Sequence, residues 1–204
     1  MQHRVPYFAQ WESRELVQDI ISHQRRAEDD PLGPRSGATS PAEYALWSWN
    51  GCGVACLKML LAARGSLVPL VELARGCERY GGYVRRGDEV DGLIYAPFLA
   101  YVEAELGLHG RILAPMHTDD IIRALAGGEL VVASVHPAIR YAAEATEAPG
   151  RGGHLVLVTG YDLESATLTF HNPSGHTPAS QENAELSVEV FERYFAQRGM
   201  AIRA

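Results

Sequence analysis

The chain has no apolar run long enough to cross a bilayer. Nowhere in its 204 residues is there a stretch approaching the roughly 18–20 apolar side chains that a spanning helix needs. The opening Met1-Gln2-His3-Arg4-Val5-Pro6 lacks the apolar core of a signal peptide. We therefore expect a cytoplasmic protein with no membrane partner. Cysteine is scarce: three residues, an odd number at irregular spacing. That excludes a disulfide framework and leaves at least one thiol needing another explanation. A basic block is missing too. The net charge is -7, and Arg25-Arg26 and Arg85-Arg86 are isolated pairs, which argues against a nucleic-acid partner. There is no CxxC, no HExxH, no zinc-finger spacing, and no glycine-rich nucleotide loop of either common type. We expect no metal and no cofactor. Zinc held by Cys52, Cys56, His154 and His171 is the chemical rival to weigh.

What is present fits an ordinary globular core: 47% hydrophobic and 21% charged residues. The length is that of about one to one and a half average domains, and we expect one domain over residues 1–204. Residues 5–10 read as extended. Leu16, Val17, Ile20, Ile21 and Gln24 fall at helical spacing, which predicts an amphipathic helix over 14–27. Residues 30–41 are a breaker-rich loop. Cys52 to Arg64 is nearly all apolar, too apolar for a surface helix, so it predicts a buried one. Further helices are expected over 69–76, from Tyr95 to Leu106, and from a Thr118 cap to Gly127-Gly128. The 77–92 stretch reads as a loop. Then the pattern changes. Leu130–Val135, His154–Tyr161 and 166–171 read as strands, with a long loop at 137–153. Ser187 caps a short helix, and Met200–Arg203 forms a last strand. Helices first and strands second make an α+β layout.

Cys52 lies between Gly51 and Gly53 at the expected helix start. Free N–H groups and the helix dipole favour an anion there, so the thiol pKa is expected to fall. The ordinary fate of a free cysteine is burial as a small hydrophobe, and that reading fits Cys56 and Cys77 better. His154 follows Gly152-Gly153 and opens a strand, where a scaffold can present a base to a cleft. Among the other histidines, His109, His117, His136 and His171 sit at edges or in loops. Asn172 ends the next strand. If the two strands form a hairpin, it can reach His154 and fix its tautomer, though an Asn-Pro turn accounts for it equally well. The Gln10 amide can donate to an oxyanion beside the Cys52 backbone N–H.

VPYFAQ at 5–10, WNGCGVACLKMLL at 49–61, GGHLVLVTGYD at 152–162 and HNPSG at 171–175 resemble the peptidase C39-like group of papain-fold cysteine peptidases. The resemblance implies a papain-like fold and a site in the order Gln, Cys, His, Asn. It places the nucleophile on Cys52, the base on His154, the orienting residue on Asn172 and the oxyanion donor on Gln10. Two departures stand out. The group has only a short segment between its Gln and Cys, whereas residues 11–51 intervene here, an insertion at about 12–46. The ABC-transporter modules that accompany some members are also absent. The implied activity is amide or peptide hydrolysis through a thioester, with a peptide or a small amide or thioester as substrate. An acyltransferase or amide-forming cyclase, served by a carrier-bound acyl donor, uses the same machinery. A non-catalytic papain-like binding module is the third reading. The oligomeric state is not legible.

Overall fold

A computed structural model describes residues 1–87, 89–143 and 147–203. The helical part comprises α1 (Val17–Ile21), α2 (Pro41–Asn50), α3 (Cys52–Ala63), α4 (Leu70–Arg79), α5 (Tyr95–Leu106) and α6 (Thr118–Ala126). A small hairpin, β1 (Val84–Arg86) with β2 (Glu89–Asp91), lies within the 77–92 stretch. The remaining elements are β3 (His109–Leu113), β4 (Leu130–Val135), β5 (His154–Asp162), β6 (Thr167–His171), α7 (Pro178–Gln181), β7 (Ala184–Ser187), α8 (Val188–Tyr194) and β8 (Phe195–Arg203). The six strands from β3 onward form one antiparallel sheet in the order β3-β8-β4-β5-β6-β7. The fold class is α+β, helical in its first half and antiparallel in its second.

The centre of the sheet is buried on both faces. Every residue of β4 is buried, as are His154 to Gly160 of β5, so these strands read as unbroken apolar runs rather than alternating ones. Helix α3 packs on β5 and β4. Its residues from Gly53 to Leu61 are all buried, and that is why its sequence is apolar around its circumference except at Lys58. Helix α6 also packs on β4 and β5, and α8 covers β6, β7 and β8.

Several boundaries differ from the sequence-based expectation, each for a local reason. The 14–27 helix is cut to α1 preceded by one 3-10 turn, Arg14–Leu16. His23 takes a left-handed φ of 59°, and the N–H groups of Gln24 and Arg25 both turn back to the Asp19 carbonyl. The cap of α6 is His117, not Thr118: the Asp120 carboxylate accepts the His117 N–H at 2.8 Å. Strands β3 and β7 differ from the sequence reading, as does the β1–β2 hairpin in the 77–92 stretch expected to be a loop. β3 is an exposed edge whose sequence, HGRIL, carries no burial signal. The final strand starts at Phe195 rather than Met200.

The segment preceding α3 builds a second, smaller core from Ala9, Trp11, Val17, Ile20, Ala27, Tyr44 and Ala45. Buried Asp30 is its polar centre. The carboxylate accepts from Ser13 N–H (3.1 Å), Ser13 Oγ (2.5 Å), Leu32 N–H (2.9 Å) and the Tyr44 hydroxyl. Burial alone would raise the Asp30 pKa, but the hydrogen bonds outweigh it and hold the carboxyl below its ordinary value. Two ion pairs fasten this region to the helices. Lys58 of α3 meets Glu12 at 2.9 Å in a nearly buried pair. Arg75 of α4 grips Glu43 of α2 with two nitrogens, at 2.9 and 2.6 Å.

Candidate active site

The packing of α3 on β5 brings the start of the helix to the start of the strand. Gly51 is the N-cap of α3. A Cβ there would stand 2.5 Å from the Trp47 carbonyl oxygen, so only glycine permits the tight passage from α2 into α3. No side chain caps α3, which leaves its first N–H groups free. The Cys52 sulfur lies within reach of its own N–H, that of Gly53 and that of Leu155 on β5. One turn further along, Cys56 Sγ contacts the Leu155 carbonyl at 3.8 Å. On the strand side, Gly152 and Gly153 have φ of 81° and 93°, left-handed values that turn the chain into β5 just before His154.

Buried His154 and Asn172 meet across the β5–β6 end. His154 Nε2 is 2.8 Å from Asn172 Oδ1. Ser174 joins them. Its N–H donates to Asn172 Oδ1 at 3.1 Å, and its Oγ lies 3.1 Å from His154 Nε2. Arg140 Nη2 in turn donates to Ser174 Oγ at 2.9 Å. Cys52, His154, Ser174, Arg140 and Gln10 all line one cleft of about 820 Å³. Gln10 is tied at both ends: its backbone N–H donates to the Pro173 carbonyl at 2.8 Å, and its side-chain Nε2 donates to the Ser48 carbonyl at 2.8 Å. A second, long contact from Nε2 to the Trp49 carbonyl, 3.5 Å, is weak enough to yield to a better acceptor.

The electrostatics depart from one expectation. The Cys52 pKa is raised, not lowered. Burial dominates, against the opposing pull of the Leu155, Gly53 and Cys52 N–H groups and of the Arg140 charge. The helix start is real, but the apolar flank of β5 and α3 costs the thiolate more than the free N–H groups return. His154 is held down to about 3, first by burial and then by Arg140, with the Asn172 hydrogen bond working the other way. The resting pair is therefore a neutral thiol and a neutral imidazole.

The remaining polar candidates are engaged elsewhere. His171 Nε2 contacts the Val5 carbonyl at 2.9 Å and its Nδ1 accepts the Asn183 N–H. Cys56 and Cys77 are buried. His136 Nδ1 accepts the Ala138 N–H. Among the described residues no group of three or more His, Cys, Asp or Glu side chains is placed to hold a metal. Sequence reasoning missed Ser174 and Arg140. Ser174, two residues after Asn172 in a motif already singled out, was within reach. Arg140 is a lone arginine in a loop and gives no signal.

A model of the Peptidase_C39 like family matches residues 3–201. No curated protein matches the sequence. Among solved structures, the chain is similar to the peptidase domain of Streptococcus ComA, a bi-functional ABC transporter involved in a quorum-sensing pathway. The TM-score is 0.50 at 14% identity, over 76% of this chain and 92% of that one. It is also similar to a C39-like peptidase from Bacillus anthracis, with a TM-score of 0.54 at 16% identity over 76% of this chain and 89% of that one. At such identities the likeness carries the fold.

Proposed function

From the premise that this chain belongs to the C39-like peptidase family, we propose that it hydrolyses an amide or peptide bond of a narrow set of substrates through Cys52. One observation carries the reading: His154 bonded to Asn172 at 2.8 Å on the wall of the cleft that Cys52 also lines. Because burial keeps both groups neutral, the Cys52 proton passes to His154 Nδ1 as the sulfur attacks the substrate carbonyl carbon. The oxyanion that forms takes hydrogen bonds from the Cys52 N–H and the Gln10 amide. Collapse breaks the C–N bond, and the leaving amine takes the proton from His154. A water then attacks the thioester carbon, giving its proton to His154, and the expelled sulfur recovers it. Asn172 and Ser174 hold the imidazole in place throughout. Residues 12–46 we regard as an insertion into one domain, and three free cysteines fit a reducing, cytoplasmic setting.

Transfer of the acyl group to an amine is the second reading. Trp11 and Trp49 both line the cleft, and His23 of the insertion stacks on Trp49 at 5.6 Å, so an aromatic wall stands where an acceptor would enter. Brief iodoacetamide treatment followed by peptide mapping tests the common core of both readings. Label at Cys52 ahead of Cys56 and Cys77 supports it. Label on either of the others, with Cys52 inert in folded protein, overturns it.

A further inference from the structure

Among the described residues, two arginines face the cleft and no carboxylate does. Among the described residues that line it, the only charged side chains are Arg140 and Arg198. Arg140 spends Nε on the Pro137 carbonyl (3.0 Å) and Nη2 on Ser174. Tyr141, Cys52 and His154 are the titratable groups that feel its charge, and among the described residues no carboxylate pairs with it. Arg198 belongs to β8 at the irregularity where β4 and β8 lose register between Ala133 and Val135. Its Nη2 lies 3.3 Å from the point a Cβ on Gly152 would occupy, which sets the guanidinium beside the turn leading into His154. A substituent on Gly152 would crowd it and make the head group give by a few tenths of an ångström. The same cleft has apolar lining: Leu93, Ile94 and Ile112 line it, and Ile94 and Ile112 are 45% and 42% exposed. Arg198 also shares a hydrogen bond with the Tyr95 hydroxyl, a neutral partner that leaves its charge uncompensated, and exposed aliphatic groups beside such guanidinium groups make a surface that an amphiphilic anion fits well.

Resting on the nucleophile reading of Cys52, we propose that the cleft selects acyl donors that carry a carboxylate on an apolar body, the carboxylate seated between Arg140 and Arg198. A planar guanidinium pairs with a carboxylate through two parallel hydrogen bonds, and the pair orients the scissile carbonyl over Cys52. The acyl donor is then an acidic amide or peptide, or a thioester with a free carboxylate. The class excludes cationic peptides, which the two arginines repel.

Iodoacetate and iodoacetamide test this directly. Both alkylate a thiolate by displacing iodide, and they differ in one negative charge. The ratio of their second-order rates at Cys52, divided by the same ratio in unfolded protein, reads the cleft's preference for an anion. We expect a ratio above one that falls about fivefold in Arg198→Gln, as loss of one nearby charge predicts, with Arg198→Lys keeping most of it. Rising salt should erode it as well. A ratio of one in the native protein, or a ratio untouched in Arg198→Gln, overturns the proposal. Failure of both reagents to label Cys52 would instead overturn the nucleophile reading itself. Acetate and inorganic phosphate, added as competitors, separate the two sources of negative charge. Stronger protection by phosphate would overturn the carboxylate class.

Discussion

Asn172 Oδ1 accepts the Ser174 N–H at 3.1 Å, and that contact fixes which way the Asn172 amide faces. Because the oxygen accepts there, His154 must donate to it through Nε2, 2.8 Å away. The imidazole proton is thereby placed on Nε2, and Nδ1 keeps the lone pair a base requires. A backbone group sets the tautomer, through one side chain, of a residue two strands' ends away.

The same arrangement ranks three substitutions. His154→Ala removes the proton acceptor and should cut Cys52 acylation by about 10²–10⁴-fold. Asn172→Ala leaves the imidazole in place but loosens its tautomer and angle, so the loss should be smaller. Ser174→Ala removes only a hydroxyl and keeps the backbone N–H that orients Asn172, so its loss should be the smallest of the three. Single-turnover acylation measured on the three variants checks the order. Equal losses for Ser174→Ala and His154→Ala would contradict it.

The neutral resting pair predicts a particular pH profile. With the thiol raised by burial and His154 held down to about 3, again chiefly by burial, both groups are expected to rest neutral between pH 5 and 8. Alkylation of Cys52 by iodoacetamide should climb steadily as pH rises through 9. A plateau between pH 5 and 8 would mean the ion pair forms after all. The His154 shift also links to stability. Its folded pKa is depressed below the ordinary 6.5, so the unfolded chain binds more protons between about 3 and 6.5. The stability that a neutral His154 contributes is complete above 6.5 and is lost as pH falls toward 3. Urea midpoints of the native protein should drop over that window more than those of His154→Asn.

The site was legible in the sequence where a motif is local. Gly-Cys-Gly at a helix start and Gly-Gly-His at a strand start each announce their own backbone. What joins them is the packing of α3 on β5, and that depends on contacts between residues about a hundred positions apart, Cys56 to Leu155 for one. The direction of the Cys52 shift failed for the same reason. The helix dipole can be read from neighbours in the chain, but the burial that overrides it comes from another strand. Of the missed strands, β3 and the hairpin β1–β2 are largely exposed, and β7 is a four-residue edge, so none has a pattern to read.

Asp30 should be the structural centre of the 12–46 region. Asp30→Ala leaves the Ser13 and Tyr44 hydroxyls and two backbone N–H groups without their acceptor, at a cost of about 3 kcal/mol. Tyr44→Phe removes one donor to Asp30 and the acceptor of the Glu12 N–H, and should cost about 2 kcal/mol. Because the Asp30 carboxyl is held below its ordinary 3.8, its contribution is complete above that value and is lost as pH falls below it. Urea denaturation of the two variants at pH 7 reads the difference.

The 137–153 loop should divide into two parts. Pro137–Tyr141 is a 3-10 turn with Ile139 buried, and the Ile139 and Ala142 N–H groups are bonded to the His136 and Ile139 carbonyls, so these amides should exchange slowly. Residues 144–146 lie outside the described residues. From Gly150 to Gly153 no apolar side chain anchors the chain, and it borders the cleft at Gly153. Those amides should exchange quickly in the absence of ligand. Uniform slow exchange through 153 would reject a mobile rim.

The last prediction concerns the fate of the acyl group. The four candidate site residues would serve either acceptor alike, so the choice between water and an amine rests on the cleft's walls. Trp49 is 42% exposed and is braced by Trp11, edge-on at 5.1 Å, and by His23, stacked at 5.6 Å. A braced aromatic wall narrows the approach to Cys52 and disfavours an extended, unrelated polypeptide. Casein and random peptide libraries should therefore stay largely uncut while Cys52 still alkylates readily. Rapid degradation of unfolded proteins would overturn the narrow range. Trp49→Ala opens the wall and should broaden the range of peptides cut if the wall is what restricts it. With an accepted acyl donor in hand, added amines decide the acceptor. Release rates that stay constant with rising amine, and yield free acid alone, mark a hydrolase. A growing share of amide product at unchanged thioester formation would mark transfer, because only the second step then sees the amine.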